Sequence, residues 1–266
     1  MNAATLSIEV TEHEPDFQRR FSGLDRLYGV EGAGRIRASH VAVVGIGGVG
    51  SWAAETLARS GVGRITLIDL DHVSESNINR QVHALNETVG QAKVLAMRDR
   101  IVQINPLCMV HCIEEFVSAD NWPHVLPEPV DAVIDACDQL KAKLAMAVWA
   151  CERAQRRKLF VSVGAAGGKR LAHHVEVNDL SLVTHDPLLA LLRYRLRKHH
   201  TAARGTKKIG LTCVFSKEAV RPPDVSCVMA SGDGSLNCHG YGSVVSVTAT
   251  FGQCAAGWVM NQLAEC

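Results

Sequence analysis

Short apolar runs alternate with amphipathic stretches over the first two thirds of the chain. Runs of four or five residues that predict strands buried on both faces occur at 41–44, 65–68, 109–113, 132–135 and 159–163. Helical patterns lie around and between these runs, at 15–37, 51–60, 90–104 and 141–156. Such alternation predicts an α/β fold with a mostly parallel sheet and helices on both faces.

The last third of the chain lacks this alternation and ends in an apolar segment at 242–260. We therefore predict an N-terminal helical segment (1–40), an α/β core (41–170), and a C-terminal extension of loops and an apolar helix packed on the core (171–266). The apolar segment carries no charge and approaches the length of a membrane span. Its serine, threonine and small residues favour a helix buried against the sheet instead.

The first predicted strand runs directly into the glycine-rich sequence GIGGVG at 45–50. In a Rossmann-like βαβ unit, Gly45 permits the tight turn, Gly47 lets the backbone approach a phosphate, and Gly50 allows close packing of helix and strand. The helix that follows favours an anion at its N-terminus. Asp69 ends the second strand region, where an acidic side chain accepts ribose hydroxyls. The unit predicts a nucleotide site, the alternative being a glycine turn without a ligand.

Polar residues further along distinguish ATP from NAD as the nucleotide. They are Asp71, Asn77, Arg80, Gln81, Lys93 and Asp138. An arginine, a lysine and a carboxylate on separate loops suit a triphosphate with Mg²⁺, whereas a nicotinamide site does not need this set. The alternatives are that Lys93 is a solvated helix residue and that Asp138 is a helix N-cap.

Composition and charge narrow the class of protein. The chain has 266 residues, of which 47% are hydrophobic, and a formal net charge of +1, so a nucleic acid must be held by a local basic patch. Nine cysteines without any C-x-x-C pair indicate reduced thiols and no zinc site. The first fourteen residues lack the pattern of a secretory signal, which predicts a cytoplasmic protein.

The motifs GIGGVGS, GVGRITLIDLD, SNINRQ, VGQAK and DACD resemble the adenylating family of ThiF, MoeB, HesA and the ubiquitin-activating enzymes. This resemblance covers residues 20–165 and implies that ATP adenylates a carboxylate with release of pyrophosphate. It implies that Gly48 contacts the phosphates, that Arg80 and Lys93 neutralise them, and that Asp138 holds Mg²⁺. It also implies a homodimer in which an N-terminal arginine, Arg26 first and Arg20 second, reaches the partner's site.

The rest of the chain points to one branch of that family. GAAGG, HDPLLALLRYRLRK, VFSKEAV and ASGDGSLNCHGYGSVVSVTATFG resemble the tRNA threonylcarbamoyladenosine dehydratases, called TcdA or CsdL. The resemblance implies an ATP-binding adenylation core at 41–170, a tRNA-contacting extension at 171–266, and ring closure of the modified adenosine with loss of water. It leaves open a monovalent cation (Na⁺ or K⁺), a cysteine-desulfurase or sulfur-acceptor partner, and a role for Cys238, which we interpret as an ordinary thiol.

A tRNA substrate requires a basic surface, and the densest positive run is RYRLRKHHTAARGTKK at 193–208. The side chains predicted to contact tRNA are Arg193, Arg195, Arg197, Lys198, Arg204, Lys207 and Lys208. A solvated surface that only aids solubility is the alternative.

Two other functions remain as hypotheses. The chain could adenylate the C-terminus of a ubiquitin-like or sulfur-carrier protein, or it could be an NAD-dependent oxidoreductase. An NAD-dependent oxidoreductase would leave Arg80, Lys93 and Asp138 without a common role.

Overall fold

The computed structural model describes residues 15–127, 129–152, 158–205, 207–224, 226 and 241–265. The helices are α1 Phe17–Ala38, α2 Gly50–Arg59, α3 Lys93–Ile104, α4 Leu140–Cys151, α5 Pro187–His199 and α6 Val245–Glu265. The strands are β1 His40–Val44, β2 Arg64–Ile68, β3 Met109–Ile113, β4 Ala132–Asp135, β5 Leu159–Val163, β6 Val175–Asp179 and β7 Thr212–Ser216. Helix α1 is kinked at Gly29, where φ is +72°.

These seven strands form one sheet in the order β3-β2-β1-β4-β5-β7-β6. Only the β6–β7 pair among them is antiparallel. Strand β1 lies between β2 and β4, so the strand order reverses there. In open α/β sheets the ligand binds at such a reversal, beyond the carboxyl ends of the strands. That end is called the carboxyl edge below, and the opposite end the amino edge.

Helices cover both faces of the sheet because the central strands are apolar on both sides. All five residues of β1 are buried. Val41 and Val43 pack in one cluster with residues of α2, α3 and α6. Ala42 and Val44 pack in the other with residues of α4 and α5. This alternation follows from the two-residue period of a strand.

The predicted α/β fold is confirmed, and the strands at 109–113, 132–135 and 159–163 have the predicted bounds. The predicted helix 90–104 begins only at Lys93, because Gly90 has φ +89° and Ala92 has ψ +132°, both outside the helical region. The predicted helix 141–156 ends at Cys151, and 153–157 lie outside the described residues. The extension contributes strands β6 and β7, so the sheet continues past residue 170.

Helix α6 packs against α2 and the sheet. A side chain at Gly252 would overlap the carbonyl oxygen of Val49, so the two helices are in close contact. Val247, Phe251 and Val259 of α6 are fully buried. Across the described residues, none of the helices has the length and apolar character needed to cross a membrane. The helix predicted from the apolar segment is thus buried against the core.

Candidate active site

The glycine loop turns from β1 into α2 at the carboxyl edge of the sheet. Gly45 has φ +85°, and a Cβ there would lie 2.9 Å from the backbone nitrogen of Cys137. A Cβ at Gly50 would overlap the carbonyl oxygen of Gly45. By contrast, no atom lies within 4 Å of the Cβ position of Gly47. Gly45 and Gly50 therefore permit the turn itself, whereas Gly47 faces open space at the start of α2, where an anion is favoured.

Asp69 connects this loop to the end of β2. Its Oδ2 accepts a hydrogen bond from the Ile46 N–H at 2.6 Å, and its Oδ1 accepts one from the Asp71 N–H at 2.9 Å. Burial raises the pKa of Asp69 above its ordinary value, although Lys93 and the two N–H groups oppose the shift. Each carboxylate oxygen has a second lone pair, so the side chain can hold the loop and still accept a ribose hydroxyl.

Lys93 is the first residue of α3 and is buried, with 4% of its surface exposed. Its Nζ lies 2.8 Å from Oδ2 of Asp71. The alternative of a solvated helix residue is therefore wrong. A buried ammonium near the carboxyl end of β2 is placed to act on an anion bound beside the glycine loop, with Asp71 fixing its position. The space beside the glycine loop at the carboxyl edge is called the crevice below.

Arg80 lies over the glycine loop. Its Cγ and Cδ are each 3.3 Å from the Cβ position of Gly48, and a methyl carbon of Thr248 is equally close. The Arg80 Nη1 donates hydrogen bonds to the Ser76 carbonyl at 2.7 Å and to Oδ1 of Asn79 at 2.9 Å. The guanidinium is therefore brought to the loop by packing of its aliphatic stem and by local hydrogen bonds.

Asn77 and Gln81 are buried, with 7% and 5% of their surfaces exposed. Asn77 Oδ1 accepts a hydrogen bond from the Ser74 N–H, which closes the turn before Arg80. Gln81 Oε1 and both ring nitrogens of His83 are buried without a hydrogen-bond partner. Burial lowers the pKa of His83 to about 4, so this imidazole is neutral near pH 7. Sequence reasoning missed His83.

Asp138 is exposed in the loop between β4 and α4. The N-cap of α4 is Gln139, so the alternative that Asp138 caps this helix is wrong. Its neighbour Cys137 touches the Gly45 turn. The structure therefore places the Asp138 carboxylate on the strand end adjacent to the glycine loop.

A buried ion pair beneath this loop was not predicted. Lys143 Nζ lies 2.8 Å from Asp135 Oδ2, and both side chains are completely buried. Lys143 also donates to Ser162 Oγ at 3.2 Å and to the Val163 carbonyl at 2.9 Å. Ser162 in turn donates to Asp135 Oδ2 at 2.7 Å. The network ties the ends of β4 and β5 together below the crevice.

Helix α6 and the segment before it close the crevice on one side. The Asn79 Nδ2 donates to the Ser243 carbonyl at 3.0 Å. The Gly168 N–H donates to the Gly242 carbonyl at 2.8 Å. The SNINRQ loop and the GAAGG loop are therefore connected through 242–243, which places both sequence motifs beside one crevice.

Comparison with known proteins assigns the chain to a family. The ThiF family model matches residues 19–266. The chain belongs to the ThiF family. The family predicted from the sequence motifs is therefore confirmed for nearly the whole length of the chain.

Two curated relatives of this ThiF-family chain are tRNA threonylcarbamoyladenosine dehydratases. The protein from Haemophilus influenzae is 38% identical over 260 residues, which are 97% of this chain and 98% of that protein. The protein from Escherichia coli strain K12 is 41% identical over 256 residues, or 93% and 94% of the two chains. A solved structure of the E. coli dehydratase TcdA in complex with ATP has a TM-score of 0.82 at 40% identity and covers 93% of this chain and 94% of that one.

The N-terminal arginines of the ThiF-family chain have different surroundings. Arg20 Nη1 donates to the Ile104 carbonyl at 2.7 Å, so it is bound within its own chain. Arg26 is exposed on α1. Leu27 and Val30 beside it are 73% and 72% exposed, which is unusual for two apolar residues so close together.

The seven basic residues predicted to contact tRNA fall into two groups. Arg193 donates to the Leu180 and Val183 carbonyls, and Arg197 donates to the Ala203 and Gly205 carbonyls, so both stabilise the fold around α5. The exposed members are Arg195, Lys198, Arg204, Lys207 and Lys208.

The loop that carries the last three of these residues lies at the amino edge of the sheet. Asp179 pairs with Thr212 at the start of β7 and accepts hydrogen bonds from the Ile209 and Gly210 N–H groups. Burial raises the pKa of Asp179, but hydrogen bonds from Ser181, Ile209 and Gly210 hold it below its ordinary value. Helix α5 has 13 residues, about 20 Å, and separates this loop from the carboxyl edge. Within one chain the structure does not bring Lys207 and Lys208 beside the glycine loop.

The carbonyl groups near GAAGG are engaged by a lysine. Lys169 is 2% exposed, and its Nζ donates to the His185, Ser216 and Glu218 carbonyls at 3.0, 3.4 and 2.7 Å. Among the described residues there is no group of three or more His, Cys, Asp or Glu side chains able to hold a metal. A monovalent cation stays a prediction, and Cys238 lies outside the described residues.

Proposed function

We propose that this ThiF-family protein dehydrates N6-threonylcarbamoyladenosine in tRNA to its cyclic form, using ATP. The single observation that carries the proposal is the glycine loop at the carboxyl edge, where the Cβ position of Gly47 is open and Arg80 packs on Gly48. Lys93 and Asp138, which follow β2 and β4 on either side of β1, support it. Near-full-length identity to two dehydratases of this name supports the choice of substrate.

In the proposed complex the triphosphate lies against the glycine loop. Backbone N–H groups at the start of α2 donate to phosphate oxygens at Gly47 and Gly48. Arg80 and Lys93 offset the phosphate charge, and Asp69 accepts the ribose hydroxyls. Mg²⁺ is usually held by one or two carboxylates together with substrate phosphates, so the single exposed carboxylate of Asp138 fits that ion.

The proposed reaction has two steps. An oxygen of the threonyl carboxylate attacks the α-phosphorus of ATP, and pyrophosphate leaves. The carbamoyl group of the same nucleoside then attacks the acyl carbon, loses a proton and displaces AMP, which carries away the carboxylate oxygen. Because AMP leaves far more readily than hydroxide and the second attack is intramolecular, the enzyme needs mainly to position the groups and offset charge, without a catalytic cysteine.

Assembly into a homodimer is part of the proposal. The exposed Leu27 and Val30 on α1 supply an apolar contact, and burying them between two copies would stabilise the pair. Arg26 lies beside them and would enter the partner subunit's crevice. We also propose a cytoplasmic location, and the sulfur-transfer partner remains a prediction.

Mass spectrometry of tRNA nucleosides tests this function. The protein is incubated with ATP, Mg²⁺ and tRNA that carries threonylcarbamoyladenosine. We expect the modified nucleoside to lose the mass of one water, only with ATP present, and the loss to disappear in Asp138→Ala. Asp120→Ala, which removes an exposed carboxylate from another loop, is the matched control and should retain activity.

A negative result would point to a different substrate. If ATP binds but the nucleoside mass stays constant, the tRNA reaction is refuted. Adenylation of a peptide ending in Gly-Gly would then support a carrier-protein substrate.

A further inference from the structure

His185 has a backbone conformation that residues other than glycine rarely adopt. Its φ is +56°, in the left-handed region, and its imidazole is exposed. Strained residues of this kind persist where the surrounding structure enforces them, and they concentrate at ligand sites. His185 has no part in the adenylation steps described above.

Two buried charged side chains enforce this conformation. On one side, Lys169 Nζ donates to the carbonyl oxygen of His185 itself. On the other, Asp186 is 3% exposed, and its carboxylate accepts hydrogen bonds from the Ala165 and Leu189 N–H groups at 2.8 and 2.9 Å. The backbone is thus fixed immediately before and after the exposed ring, which presents the imidazole in a defined place.

A cavity of about 270 Å³ opens beside this ring, lined in part by Thr184, His185, Pro187, Arg193 and Val220. Both hydrogen bonds that Arg193 makes to the Leu180 and Val183 carbonyls come from Nη1. They hold the guanidinium at the wall and leave its Nε and Nη2 donors for a ligand. The volume is just below the usual range of small-molecule pockets, about 300–1,000 Å³, and suits one planar ring system rather than a larger ligand.

The cavity lies along the first half of α5, the helix that leads to the basic loop. Ala165, which Asp186 binds, follows the carboxyl end of β5. The N-terminus of α5 is therefore at the same edge of the sheet as the glycine loop. From there α5 runs to the loop with Lys207 and Lys208 at the amino edge. An RNA strand that follows α5 from the carboxyl edge to that loop passes the cavity.

We propose that this cavity receives one unpaired tRNA base next to the modified nucleotide, held between His185 and Arg193. The inference rests on the proposed function, because it requires a tRNA substrate. Proteins read single-stranded RNA loops by stacking splayed-out bases on aromatic rings, including histidine, or on arginine planes. A stacked base at this point would hold the modified nucleotide beside the ATP crevice.

The test measures binding of a stem-loop RNA that contains threonylcarbamoyladenosine, alongside two versions that are abasic on either side of it. His185→Asn is the informative variant, because asparagine tolerates the left-handed region but has no aromatic face. We expect it to bind the intact RNA about 5- to 140-fold more weakly, the range for loss of one stacked base. His124→Asn removes an exposed ring from a loop outside the basic run at 193–208 and should bind normally.

The abasic RNAs give a readout that does not depend on the variant. The affinity of the wild-type protein should fall by a similar factor for one of the two abasic RNAs. For that RNA, His185→Asn should lower the affinity no further. Equal wild-type affinity for all three RNAs, or equal affinity of wild type and His185→Asn for the intact RNA, overturns the cavity assignment alone. A wild-type protein that binds no RNA refutes the proposed function as well.

Discussion

Replacing Gly47 with alanine separates the fold of the glycine loop from its proposed ligand. The new methyl group would meet no atom within 4 Å, and Gly47 is not in the left-handed region. The folded protein therefore accommodates it, and loss of unfolded-state freedom should raise the free energy of unfolding by about 0.4–1 kcal/mol. The same methyl group projects into the space assigned to the phosphates.

The expected cost for ATP follows from the contact that is lost. A hydrogen bond from a backbone N–H to a charged phosphate contributes about 1.5–3 kcal/mol. If Gly47→Ala removes one such bond, the Kd for ATP rises roughly 10- to 100-fold. Isothermal titration with ATP and urea unfolding of the same preparation measure the two effects separately.

Two other glycines serve as controls. Gly23→Ala on α1 also meets no atom within 4 Å, so it should leave ATP affinity unchanged. Gly50→Ala would overlap the Gly45 carbonyl oxygen and should destabilise the fold itself. Wild-type ATP affinity in a folded Gly47→Ala protein would refute the placement of the phosphates.

Further predictions concern buried and surface charges. Lys143→Met leaves the buried Asp135 carboxylate without its cationic partner. The free energy of unfolding measured by urea titration should therefore fall by about 3–5 kcal/mol. An unchanged free energy of unfolding would refute a charged pair. His83 has a folded pKa of about 4 against an ordinary 6.5, so stability should fall by up to about 3 kcal/mol as pH drops through that window. His83→Gln should flatten this pH dependence, and an equally steep curve would contradict it. Replacing Lys207 and Lys208 with alanine should weaken tRNA binding and reduce its salt dependence, while ATP affinity stays the same. Unchanged tRNA affinity would exclude these lysines from the tRNA-binding surface.

The core strands could be predicted from sequence because each is a continuous apolar run. Strands β3, β4 and β5 have the predicted bounds for this reason. Strand β6 could not be found in the same way. It lies at an edge of the sheet with two of its five residues exposed, and its antiparallel pairing with β7 is decided by tertiary contacts.

In the candidate site, too, some residues could be predicted from the sequence and others could not. Arg80, Lys93 and Asp138 could be selected because they follow the carboxyl ends of β2 and β4, and parallel strands bring the segments after them to one edge. The buried partners could not be selected. Nothing in the sequence of α4 distinguishes Lys143 from an exposed lysine, since its burial depends on Asp135 and Ser162 from two other strands.

The contact of Gly252 with Val49 has a consequence for the synthesis of the chain. The glycine loop leaves the ribosome long before Thr248, which covers Gly48, and Gly252, which lies on Val49. A chain that stops before residue 245 would contain every ATP motif and still lack this cover. A late premature stop codon, which spares most of the message, should therefore abolish the nucleotide site.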